Sequence, residues 1–245
     1  IFAIFEPAIA NPTGKPGTGE IVTRRELKHV ERLHRRPGGH QLALDARSEL
    51  GGGEARLRYG AANCHPRTAG EVVKRGIGDG DTVSVMAPNS PPMLEAHYGV
   101  PMSGAVLNAL NVRLESETLA YIFDHGEAKV LLSDREFSAV IREALELSEQ
   151  KPLVIDIDDP LAESGELLGA MDYEALLSQG DPAFAAILPE DDWQAVTLNY
   201  TSGTTGHPKG VVLSHKNMLV QTAAGIPLLR KGWEPAEMKT LCFLP

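Results

Sequence analysis

The sequence predicts an α/β protein in which a mainly parallel sheet is flanked by helices. Three observations carry that prediction. Short, near-continuous apolar runs alternate with segments of helical periodicity between residues 82 and 157. Those runs lack the polar alternation of a half-exposed sheet, so both of their faces should be covered. Gly, Pro, Asn or Asp sets off most of the segments, as turns require. A β-α-β-α-β order of this kind closes through right-handed crossovers, with helices on both faces.

Taken in order, residues 1–56 stand apart from the pattern. Between 11 and 53 the chain is rich in Gly, Pro and Arg with only short apolar clusters, which leaves its fold open. The basic stretch TRRELKHVERLHRR (23–36) interleaves Glu26 and Glu31 with its cations and reads as a solvated helix face. Residues 57–245 form the second unit. The turn GIGDGD (76–81) leads into a strand at TVSVMA (82–87). Asn89 and Ser90 offer an N-cap, Pro91 and Pro92 suit a first helical turn, and a short helix over 92–104 follows. Next come a strand at AVLNAL (105–110), a helix at SETLAYIFDH (116–125) ended by Gly126, and a strand at KVLLSD (129–134). In 134–149, Phe137, Val140, Ile141, Ala144 and Leu145 recur at helical spacing, and Ser133 with Glu136 has the spacing of a capping box. PLVIDI (152–157) supplies a further strand, and WQAVTLNY (193–200) and GVVL (210–213) read as strands from their aromatic and β-branched content.

Between those last two strands lies the most informative stretch, TSGTTGHPKG. Thr201, Ser202, Gly203, Thr204, Thr205, Gly206 and Lys209 are collected there. Gly203, Gly206 and Gly210 let a backbone approach a ligand closely. Converging N–H groups, hydroxyls and one ammonium suit phosphate oxygens, so the loop is expected to cradle a polyphosphate. A flexible linker is disfavoured by the strands that pin both ends. The common phosphate loop G-x-x-x-x-G-K-[ST] is excluded by spacing, since Pro208 precedes the lysine and Gly210 stands where Ser or Thr is needed.

Composition narrows the function classes. Hydrophobic residues make up 42% and charged residues 23% of the 245, as in ordinary globular proteins. No apolar run reaches the roughly 18 residues of a membrane span. The opening IFAIFEPAIA lacks the basic lead of a signal peptide. The net charge is −10, with 10 basic against 7 acidic residues in 1–58 and 13 against 26 in the remainder, so nucleic acid is not an expected partner. Cys64 and Cys242 make no redox or metal motif, which fits a reducing compartment, most simply the cytoplasm. His97, His125, His207 and His215 fall in no metal-ligand spacing and read as helix-end or surface histidines. Cys64 and His65 are adjacent in sequence, which does not make a catalytic pair. Ile1 in place of Met and the apolar ending LCFLP read as the ends of a fragment.

The run Y-T-S-G-T-T-G-H-P-K-G-V resembles the signature loop of the adenylate-forming (AMP-binding) enzymes, the superfamily of acyl-CoA synthetases, luciferases and peptide-synthetase adenylation domains. The likeness extends over about 57–245, and the wording PNSPPMLEAHYGVPMSGAVLNALN is nearest to the acyl-CoA ligases. It implies the N-terminal part of that fold, incomplete here. It also implies ATP-dependent activation of a carboxylic acid, fatty or related, to an acyl-adenylate and then to acyl-CoA, with ATP, Mg²⁺ and coenzyme A. By the same resemblance Thr201, Ser202, Gly203, Thr204, Thr205 and Gly206 would wrap the β- and γ-phosphates, with Lys209 adding a positive charge. The family's later motifs, Y-G-x-T-E, T-G-D, the hinge and the C-terminal catalytic lysine, do not occur in these residues, so no catalytic set is complete and the chain is expected not to turn over alone. The alternative is a noncatalytic fragment that binds nucleotide or a partner. The helix the family has after RLRY falls on GAANCHPRTAGEVV, where Pro66 is expected to break it.

Overall fold

The computed structural model describes residues 43–45, 56–58, 64–160, 162–201 and 207–230, and the expectations for the basic stretch 23–36, for 202–206 and for Cys242 lie outside them. Its elements are β1 (Ala43–Asp45), β2 (Arg56–Arg58), α1 (Cys64–Lys74), β3 (Thr82–Met86), α2 (Pro91–Met102), β4 (Val106–Ala109) and α3 (Ser116–His125). They continue with β5 (Ala128–Asp134), a 3₁₀ turn (Arg135–Phe137), α4 (Ser138–Leu147), β6 (Leu153–Ile157), β7 (Met171–Asp172), α5 (Tyr173–Gln179), β8 (Ala195–Thr201), β9 (Lys209–Ser214) and α6 (His215–Arg230). β1 and β2 pair antiparallel as a separate two-stranded sheet.

The other strands make one seven-stranded sheet in the order β7-β6-β5-β3-β4-β8-β9. Every neighbouring pair is parallel except β8 with β9. The apolar runs make this sheet because each has two faces to hide. Val83, Val85, Leu107, Val130, Leu132, Ile155 and Ile157 bury one side against Val72, Val100 and Leu176 of α1, α2 and α5. Met86, Ala128 and Leu131 bury the other against Leu119, Ile122, Phe123, Ile141 and Ala144 of α3 and α4. The crossover from β3 to β4 runs one way along the sheet with α2 on the first face. Those from β4 to β5 and from β5 to β6 run the other way with α3 and α4 on the second. Reversing direction and face together is what a constant crossover hand requires.

Most of the expected elements are present within a residue or two, and two local expectations are corrected. α1 forms despite Pro66, because the helix starts at Cys64 and places the proline in its first turn, where the N–H it lacks would have had no intrahelical acceptor. The cap before α4 is not Ser133: the Asp134 carboxylate accepts from the Glu136 N–H at 2.9 Å and starts a 3₁₀ turn first. Gly126 ends α3 as expected, with φ −89°, and the next residue, Glu127, takes the left-handed conformation at φ 48°. Gly126 is also a close approach, since a Cβ there would lie 2.9 Å from the Ile122 carbonyl and 3.1 Å from Tyr200 Oη. Finally, α5 and β7 carry no signal read from the sequence. α5 is capped by Asp172, whose carboxylate accepts from the Ala175 N–H, and is anchored by Tyr173, which donates to Glu95 Oε2 at 3.1 Å and lies 2.9 Å from Thr68 Oγ1.

Candidate polyphosphate site

β8 runs parallel to β4, pairing Leu107 with Thr197, and then turns back as the antiparallel hairpin β8–β9. The register of that hairpin sets Tyr200 opposite Gly210 and Thr201 opposite Lys209. Of the predicted site residues, Thr201 and Lys209 are therefore brought face to face across the two strands, while Ser202, Gly203, Thr204, Thr205 and Gly206 fall at 202–206, outside the described residues. Opposed residues on an antiparallel pair share a face and neighbours alternate, so Thr201 and Lys209 lie on one face and Tyr200 and Gly210 on the other. Both Thr201 and Lys209 are exposed, and among the described residues no carboxylate pairs with the lysine. An ammonium and a hydroxyl placed this way can donate to anionic oxygens arriving between the strands.

The hairpin is held at its base by α6. The Ser214 hydroxyl accepts from the Asn217 N–H at 3.2 Å while Asn217 Oδ1 accepts from the Ser214 N–H at 2.9 Å, a reciprocal cap that stops β9 and starts the helix. The next two amides, of His215 and Lys216, donate to the carbonyls of Gln194 and Asp192 just before β8. Lys216 Nζ lies 4.9 Å from the Trp193 ring centroid.

At the loop end the hairpin meets α3 through four aromatic side chains that the sequence reading did not connect. His125 Nδ1 lies 2.8 Å from Tyr200 Oη. His207 stacks on Tyr121 with centroids 4.6 Å apart and planes 18° from parallel. Burial, with the Tyr121 hydroxyl beside it, pushes the Tyr200 phenol up to about 12, so it stays protonated across the working pH range. Of the histidines read as helix-end or surface residues, His125 and His207 are exposed, and each has an aromatic partner. The available signal was the i, i+4 spacing of Tyr121 and His125 on one helix face. His65 and His97 differ again: burial lowers both below the ordinary imidazole value, and His97 Nδ1 lies 2.7 Å from the Met93 carbonyl. Among the described residues no group of three or more His, Cys, Asp or Glu could hold a metal ion.

A doubly wound sheet that ends in a glycine- and hydroxyl-rich hairpin connection defines a class that comparison makes specific. Residues 32–245 match the family described as AMP-binding enzyme, and the chain belongs to that family. Acetate/butyrate–CoA ligase AAE7, a peroxisomal protein of Arabidopsis thaliana, is 42% identical over 175 residues, covering 66% of this chain and 31% of the relative. Peroxisomal benzoate–CoA ligase of the same plant is 41% identical over 180 residues, covering 69% of this chain and 30% of the relative. The chain thus spans about three-tenths of the curated relatives it matches. Among solved structures, anthranilate CoA ligase AuaEII in complex with anthranoyl-AMP superposes with a TM-score of 0.58 at 22% identity, over 70% of this chain and 30% of that one. An acyl-CoA synthetase of Brucella canis gives 0.57 at 21% identity over 79% and 34%. At these identities the structural likeness establishes the fold.

Proposed function

We propose that this chain is the N-terminal portion of an acid–thiol ligase that activates a carboxylic acid with ATP and transfers the acyl group to coenzyme A, and that its β8–β9 hairpin supplies the polyphosphate contacts. The observation that carries this is the register that sets Thr201 against Lys209 at the mouth of the glycine- and hydroxyl-rich connection. Support for the acid–CoA reaction comes from the relatives, which bear the names of acetate, butyrate and benzoate CoA ligases. Those acids are small, which favours a short-chain or aromatic carboxylate over a long fatty acid. Several relatives are named as peroxisomal, and no described helix is long and apolar enough to cross a membrane.

In such a reaction a carboxylate oxygen attacks the α-phosphorus of ATP and the bond to the bridging oxygen breaks, so pyrophosphate leaves with the electron pair. A thiol sulfur then attacks the acyl carbon and AMP departs. Lys209 and Thr201 act on the departing portion: the ammonium and the hydroxyl donate to β- and γ-phosphate oxygens and offset the charge that collects there. The described residues form no carboxylate or imidazole cage for Mg²⁺, so no step is assigned through the metal.

Titration calorimetry with ATP and with inorganic pyrophosphate tests the assignment. Lys209→Ala should weaken either ligand about tenfold, the scale of a lost charge-assisted hydrogen bond, and leave the melting temperature unchanged. Equal affinity in the two proteins would remove Lys209 from the site.

A further inference from the structure

We propose that the C-terminal end of α3 is a positioning platform for the phosphate hairpin, on which Tyr121 and His125 hold the ends of the loop and so fix the separation of Thr201 and Lys209. The proposal rests on the polyphosphate reading above and adds to it the residues that set the geometry.

Two tethers meet on one helical turn, and the side chains that make them are in contact, with the Tyr121 and His125 ring centroids 5.3 Å apart. His125 grips the entering strand through Tyr200 Oη at 2.8 Å, with the rings edge to face at 5.7 Å. Four residues earlier on the same helix, Tyr121 stacks on His207, two residues before Lys209. Two glycines mark how closely the surfaces approach. A Cβ on Gly126 would lie 3.1 Å from Tyr200 Oη and 3.3 Å from Leu198 Cδ2. One on Gly210 would lie 3.1 Å from Leu198 Cδ1, 3.6 Å from Tyr200 Cε1 and 3.7 Å from His125 Cε1. Strand alternation then does the rest. With Tyr200 and Gly210 turned to α3, their neighbours Thr201 and Lys209 face away from it, free for a ligand. Past Thr197, where β8 pairs with β4, the register continues between β8 and β9 alone, and a platform that fixes both strands there removes ordering cost from binding.

Pyrophosphate titrations of wild type, Tyr121→Ala, Tyr121→Phe, His207→Ala, the Tyr121→Ala/His207→Ala pair and Lys209→Ala test the platform. Tyr121→Ala and His207→Ala should each weaken binding about three- to tenfold, as expected for one aromatic pair. Tyr121→Phe, which keeps the stacking ring, should stay within about twofold of wild type. The double variant should lose no more than the weaker single one, because the two act through one contact. Wild-type affinity in both alanine variants, or losses that simply add, would overturn the platform while a weakened Lys209→Ala keeps the polyphosphate reading. A wild-type protein that binds no pyrophosphate, or a neutral Lys209→Ala, overturns both. Should Tyr121→Ala fail to fold, the exposed His207→Ala decides alone.

Discussion

β3 and β9 belong to one sheet and are built to opposite specifications. All five residues of β3 are buried, four of them as a run of Val, Ser, Val and Met under helices on both faces. In β9 the first four residues, Lys209, Gly210, Val211 and Val212, are exposed, and so are Leu219 and Val220 of the helix that follows. The centre of the sheet is held by burial that needs no ligand. The hairpin at its edge is held by a capped base, two aromatic tethers and one ladder, and it spends its positions on groups that face outward. What the contrast teaches is a division of labour: burial holds the body together, and the hairpin, mounted on it, leaves exposed the groups that we propose contact the polyphosphate.

The largest effect should separate the two regions outright. Phe123 is fully buried in the α3–α4 layer, whereas Val212 is 59% exposed. Phe123→Ala should cost about 3–5 kcal/mol in urea unfolding and Val212→Ala within about 0.5 kcal/mol. Comparable costs would mean that the hairpin is part of the core. A glycine pair asks the same question at smaller scale. A Cβ on Gly99 would sit 2.7 Å from Thr68 Cβ and 3.1 Å from the His65 carbonyl, deep between α1 and α2. At Gly210 the nearest atom is the flexible tip of Leu198 at 3.1 Å. Gly99→Ala should therefore destabilise by about 1–3 kcal/mol and Gly210→Ala by less, and the reverse order would undo the comparison.

Acid should act on the body, and gently. Burial lowers His65 and His97 in the folded state, so the folded chain binds protons less readily than the unfolded one. Their contribution is complete above the unfolded value of about 6.5 and is lost as pH falls through the lowered folded values. Asp124 and Glu71 add a second loss at more acidic pH. Burial would raise both, but hydrogen bonds from Gln150 and Ser148 to Asp124, and bonds and charge from Lys74 and Arg75 at Glu71, hold them below the ordinary carboxylate range. Melting temperature followed from pH 7 to 5 should decline, and His97→Gln should flatten part of that decline. A flat wild-type curve would contradict the assignment.

The parts of this division legible in the sequence are those repeated often enough to make a pattern. The runs that became β3, β4, β5 and β6 are apolar almost throughout, and the spacing from Phe137 to Leu145 fills the buried side of the 3₁₀ turn and α4. α5 is seven residues long with Tyr173, Leu176 and Leu177 buried, and so short a helix gives too little periodicity to stand out. β7 has two residues and exists through its pairing with β6. Pro66 misleads because a proline at a helix start and one in a helix interior are the same letter, and only the boundary tells them apart. At the candidate site, residue types single out the loop and its lysine as the contacts proposed. The partnership of Tyr121, His125, Tyr200 and His207 joins positions up to 86 apart in sequence through tertiary folding, which spacing cannot reveal.

Hydrogen exchange with and without inorganic pyrophosphate tests the central claim most directly, because it reads body and hairpin in one sample. Added pyrophosphate should slow exchange across 195–214 and leave the amides of β3, β5 and β6 as they were. Protection confined to the body, or none at all at saturating ligand, would contradict a hairpin that carries recognition on a sheet that folds without it.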